Sequence, residues 1–137
     1  MVKSIGYNGG TSTSTIINES IKALQVVKKL EANGIRVNLY VTCYSYVGCK
    51  SIMIKVKIKS ANERLNISKM AFPLVHPSFL RRFFFRFLEV FPNTTSGYRG
   101  GYGTPGYTYE LRRVIGKPEY LLPAFINVDV NNIKGIS

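Results

Sequence analysis

The stretch from Val2 to Thr42 constrains the fold most, because its signals come in an order that few architectures accept. Val2–Tyr7 is short and moderately apolar and runs into Asn8-Gly9-Gly10, the pattern of a strand entering a glycine turn. Thr11–Thr15 consists only of Ser and Thr, whose hydroxyls cap helix N-termini by accepting bonds from free backbone N–H groups. A helix is predicted over Ile16–Asn33. Ile17, Ile21, Leu24 and Val27 recur at helical spacing, Ile16, Ala23 and Leu30 widen the stripe, and Asn18, Lys22, Gln25 and Lys29 form the wet face. Asn33-Gly34 supplies the stop. Ile35–Thr42, rich in β-branched and aromatic residues, then reads as a second strand covered on both faces. Strand, helix and strand joined by such short links make a βαβ unit with parallel strands.

Ser51–Lys59 alternates: Ile52, Ile54, Val56 and Ile58 point one way, and Met53, Lys55, Lys57 and Lys59 the other. Tyr44–Lys50 is too short for a helical crossover, so this strand pairs antiparallel with the one before it. Ser60–Leu65 is a polar loop and Ile67–Val75 a short helix, broken at His76-Pro77. A longer helix is predicted over Ser78–Phe91, with Phe79, Leu80, Phe83, Phe84, Phe87, Leu88 and Phe91 on one face. Arg81, Arg82, Phe85, Arg86 and Glu89 make its other face. Residues 93–107 have neither period and interleave glycines with Tyr98, Tyr102 and Tyr107, a loop of the length that usually carries function. Tyr109–Ile115 suits a short helix, and Glu119–Val130 carries the last strand signal, with Pro123 confining it to an edge or a bulge. The expected fold is one α/β domain over residues 1–137: a small, mainly parallel sheet with an antiparallel edge strand and helices packed on it.

Charge narrows the partners. The chain holds 19 Lys+Arg against 7 Asp+Glu, a net charge of +12, which attracts nucleic acid or an acidic partner. Catalysis has little to stand on. His76 is the one histidine and sits before a proline, Cys43 and Cys49 lack a zinc pattern, and the acids are scattered. The reading is therefore of a non-catalytic protein with no metal and no cofactor; an enzyme would need an acid, histidine or cysteine constellation that folding creates from distant residues. The N-terminus lacks a signal-peptide pattern, and no run reaches the ~18 apolar residues of a membrane span. A cytoplasmic location with no membrane contact is the expectation.

Two candidate sites follow. In the first, Asn8, Gly9, Gly10, Thr11, Ser12 and Ser14 lie where a strand opens into a helix, so backbone N–H groups and hydroxyls meet the positive helix end. The loop lacks the lysine of a P-loop and the spacing of a dinucleotide-binding turn; a plain helix cap needs the same residues. A first strand, a hydroxyl-rich loop, a long helix, then GIRVNLYV and an antiparallel strand resemble the opening of a von Willebrand factor A-like domain. That family's first loop reads D-x-S-x-S and helps to hold magnesium. Ser12 and Ser14 have the serine spacing, but Gly10 stands where the acid belongs. The stretch from Ile67 to Glu89 also resembles uncharacterised A-like proteins of phages and mobile elements. The resemblance implies a Rossmann-like binding or assembly module without metal, acting on a protein partner or on its own copies. In the second site, a nucleic-acid surface would use Arg82, Phe85 and Arg86 on the helix face, Tyr98, Arg99 and Tyr102 in the glycine loop, Arg112 and Arg113, and the stripe Lys55, Lys57 and Lys59.

Overall fold

A computed structural model of the chain describes residues 1–7, 10–47, 50–76, 79, 82, 83, 86, 121 and 122. The βαβ unit is there: β1 (Val2–Ser4), α1 (Thr13–Ala32) and β2 (Leu39–Val47), with β1 parallel to β2 and Val2 opposite Tyr40. Helix α1 starts three residues before the apolar pattern does, because the hydroxyl run supplies its first turn. Ser12 is the N-cap, with extended backbone and an Oγ that accepts from the Thr15 N–H at 3.3 Å. At the other end Gly34 takes φ 78°. Its N–H reaches the Glu31 carbonyl and that of Ile35 reaches the Leu30 carbonyl, which satisfies two of the last free acceptors of the helix. Residues 33 and 34 turn the chain and residues 35–38 carry no regular structure, so β2 begins four residues later than the expected Ile35.

The buried stripe of α1 differs from the expected one. Ile17 and Ile21 are exposed, whereas Ile16, Glu19, Ser20, Ala23, Val26, Val27 and Leu30 are buried. These positions keep helical spacing, so the stripe is intact but rotated. Two of its members are polar, and each has interior work. Ser20 Oγ lies 2.7 Å from both the Ile16 and the Leu74 carbonyl oxygens, which its hydroxyl can serve in turn. Glu19 pairs with Lys22 at 2.7 Å.

Strand β3 (Lys50–Lys59) runs antiparallel to β2, as the short connection requires. Its register breaks near its end: Tyr40 faces Lys57 while Leu39 faces Lys59, which leaves Ile58 as an extra residue. Such a bulge resets the alternation. Lys55 and Lys57 stay outward and exposed, whereas Ile58 and Lys59 both turn inward and are buried. Lys59 therefore leaves the expected lysine stripe. Helix α2 (Ile67–Val75) spans the residues expected of it, capped by the Asn66 side chain, whose Oδ1 accepts from the Lys69 N–H at 3.1 Å. It ends at His76, whose extended backbone is what a following proline imposes.

Strand β4 (Leu121–Leu122) pairs parallel with β1 and completes the order β3-β2-β1-β4. The described sheet thus has two parallel pairings and one antiparallel strand, β3, at its edge. Ala23, Val26, Val27 and Leu30 of α1 and Met70 and Leu74 of α2 share one core with Val37, Leu39, Val41, Cys43 and Ile58. On the other side of the sheet Val2, Thr42 and Tyr44 are buried as well, so both faces of its centre are covered. Among the described residues no helix is long and apolar enough to cross a membrane. Of the helix expected over Ser78–Phe91 only Phe79, Arg82, Phe83 and Arg86 are described. The loop of residues 93–107, the helix expected over Tyr109–Ile115 and most of Glu119–Val130 lie outside the described residues.

Candidate functional site

Strand order locates the first site. The chain leaves β1 for β2 and β3 on one side and returns to place β4 on the other. The carboxyl end of β1 is therefore the point where the winding reverses, the place where open α/β sheets gather their ligands. Ser12, Thr13 and Ser14 are exposed there, and Thr11 and Thr15 are half-buried. Ser12 Oγ is the hub of this turn, 2.7 Å from Thr15 Oγ1 and 3.1 Å from Ser14 Oγ. A Cβ added at Gly10 would meet nothing within 4 Å, so the space beside it is open. Asn8 and Gly9 lie outside the described residues.

Beneath α1, on the strand that feeds this turn, is a polar cluster that the sequence reading missed. Lys3 is fully buried, and its Nζ donates to the Ser4 carbonyl at 2.8 Å and to the Tyr7 hydroxyl at 3.3 Å. The same ammonium lies 5.4 Å from the centroid of the Tyr7 ring. Burial pushes the Lys3 amine down to about 7, although the Glu19 charge pulls it up; Lys22 adds to the lowering. Burial likewise drives the Tyr7 phenol up to about 12, with Glu19 adding and a hydrogen bond with Ser20 opposing. The signal that could have found Lys3 is positional. A three-residue strand with parallel neighbours on both sides is covered whatever it contains.

The second set of expected residues is only partly brought together. Lys55 and Lys57 are exposed on the face of the β2–β3 hairpin turned away from α1, while Lys59 is interior. The Lys59 ammonium donates to the Val37 carbonyl at 3.3 Å and the Ser60 carbonyl at 3.1 Å, and pairs with Glu31. Tyr40 joins the two outward lysines without having been singled out from sequence. The Lys55 Nζ sits 4.3 Å and the Lys57 Nζ 5.8 Å from its ring centroid. Cross-strand register would have exposed this, since Lys57 is the direct partner of Tyr40 and Lys55 stands two residues along. Arg82 and Arg86 are exposed. Phe85, Tyr98, Arg99, Tyr102, Arg112 and Arg113 lie outside the described residues.

Two reactive side chains singled out from sequence, Cys43 and His76, are described, and Cys49 lies outside the described residues. Cys43 is buried in the core, and burial pushes its thiol up to about 12, which leaves no thiolate for nucleophilic work near neutral pH. His76 ends α2 with its ring 5.4 Å from that of Phe72. Among the described residues no three His, Cys, Asp or Glu side chains gather as a metal site would need.

The family model described as a domain of unknown function (DUF7192) matches residues 1–132, and the chain belongs to that family. No curated protein and no solved structure matches it.

Proposed function

We propose that the chain is a non-catalytic binding or assembly module of A-like, Rossmann-like architecture, that it works without metal, and that its binding edge is the carboxyl end of β1 with the Gly10–Ser14 turn. One observation carries this reading: the sheet reverses its winding at β1, the strand that precedes that turn. Further support comes from the antiparallel β3 beside parallel β2, which continues the element order on which the A-like resemblance rests. Chemistry on this edge is that of a receptor and not of a catalyst. Hydroxyls and the positive end of a 20-residue helix face outward, with no carboxylate among Gly10–Thr15 to hold a hard cation. The partner is a protein surface, in the simplest case a second copy of the chain; a phage or mobile-element setting agrees with the resemblance.

Light scattering across a concentration series tests it, with and without magnesium or a chelator. Association that ignores both additions and is lost in Ser14→Arg supports the module. A monomer at every concentration removes self-assembly, and a melting temperature raised by magnesium removes the metal-free reading.

A further inference from the structure

We propose that the outward face of the β2–β3 hairpin is a binding surface for single-stranded nucleic acid, with Lys55 and Lys57 as phosphate ligands and Tyr40 as the ring that positions both ammonium groups. This surface is separate from the β1 edge and does not depend on the reading given for it. Two cations held over one ring repel each other, and the negative face of the ring offsets that only in part. A phosphate bound between them would remove the repulsion. Among the described residues no acid pairs with either of them. The three acids among the described residues are each engaged by a different lysine: Glu19 by Lys22, Glu31 by Lys59 and Glu63 by Lys69.

The surroundings extend the positive surface. Exposed Arg36 precedes β2 and exposed Arg64 follows β3, and their loops are tied where Asn38 Oδ1 accepts from the Ala61 N–H at 2.9 Å. The cations thus continue past the end of the hairpin, in a chain whose net charge is +12. A repeating polyanion fits such an arrangement better than one acidic side chain does. Lys55 and Lys57 are two strand residues apart, about 6.8 Å, on the scale of the step between neighbouring backbone phosphates. A lipid surface fits less well. The exposed large apolar side chains among the described residues are Ile17, Ile21, Ile35, Ile67, Phe72 and Phe83, and none of them belongs to residues 39–44 or 53–59 of the hairpin. A tyrosine set among exposed lysines is the pairing that single strands use, ring beside base and ammonium beside phosphate.

The test is fluorescence anisotropy of the full chain with a labelled 20-nucleotide oligo(dT) at several salt concentrations. A duplex of the same length, polyglutamate and phosphatidylserine vesicles serve as competitors. The expected result is oligo(dT) binding that weakens with salt. Lys55→Gln with Lys57→Gln lowers affinity at least tenfold and reduces the log–log salt slope by about 1.4, the share of two phosphates on a single strand. Tyr40→Leu weakens binding more than Tyr40→Phe, whereas Lys28→Gln, an exposed cation on α1, changes it less than twofold. In the unaltered protein, oligo(dT) shields Lys55 and Lys57 from acetylation, read by mass spectrometry, so the outcome does not depend on how the variants fold. Binding within twofold of the unaltered protein in the double variant overturns the proposal. So does absence of shielding, or tighter binding of duplex, polyglutamate or vesicles than of oligo(dT).

Discussion

Lys3 and Lys59 are both interior lysines, one on the first strand of the sheet and one at the end of β3, yet they are held in different ways. Lys59 reaches the interior through a bulge and meets two carbonyls and the Glu31 carboxylate. Lys3 sits in a strand covered on both faces, bonded to a carbonyl and a phenol, and feels Glu19 and Lys22 with opposite signs. One lysine is anchored by a carboxylate and two carbonyls. The other keeps an amine that gives up its proton near neutrality. Two lysines equally hidden from water are thus held by different groups, and burial alone does not say by which.

The largest test of this contrast is Glu31→Ala. It leaves the Lys59 ammonium buried without its carboxylate and should lower stability by about 3 kcal/mol in urea unfolding. A loss below about 1 kcal/mol would mean that the carbonyls alone suffice. Next comes the pH dependence of Lys3. Its amine is lowered in the folded chain, so folding carries a full penalty below pH 7 that fades as pH rises toward 10.5. Stability should therefore climb by about 2 kcal/mol between pH 7 and pH 9. Above pH 9 the raised Cys43 thiol and Tyr7 phenol oppose the climb, because the unfolded chain loses those protons first. Lys3→Met should flatten the climb, and parallel pH curves for the two proteins would dissolve the contrast.

Smaller effects come from the two ends of α1. Ser12→Ala, which removes the cap beside the Lys3 strand, should cost about 1 kcal/mol. Gly34→Ala, which forces a side chain into the left-handed region at the far end of α1, should cost about 1 kcal/mol. Chemical denaturation of both sharpens the comparison by showing whether either end unfolds more readily. Smallest of all is Glu63→Gln. Its carboxyl is held below the ordinary range by Lys69, but the pair is exposed, so the melting temperature should not move.

Much of the fold was legible because its signals are local. The hydroxyl run, the Asn33-Gly34 stop and the short Tyr44–Lys50 connection dictate a cap, a helix end and an antiparallel return, and the Ile67–Val75 helix lies between its own cap and a proline. What failed to show depends on tertiary context. Glu19 and Ser20 carry no apolar signal, and inside the fold Lys22 and the Leu74 carbonyl meet them. Ile17 and Ile21 read as core until the stripe is rotated to include those two. Lys59 continues a clean alternation, and nothing in that alternation reveals the bulge that turns it inward. Of the candidate site, the turn at Ser12 and the outward Lys55 and Lys57 could be read from sequence. Lys3 and Tyr40 could not, since a strand order and a register had to come first.

The bulge at Ile58 also bears on how copies of this chain can meet. An outer strand that stays flat and regular offers its free backbone groups to a neighbour, and chains can then stack strand on strand into fibres. In β3 the regular spacing breaks near one end, and Lys55 and Lys57 stand along the part that remains regular. A second β3 drawn up beside the first would set like charges close together and lose its pairing at the bulge. Strand addition is thereby discouraged on this side of the sheet, and any assembly there has to be made through side chains.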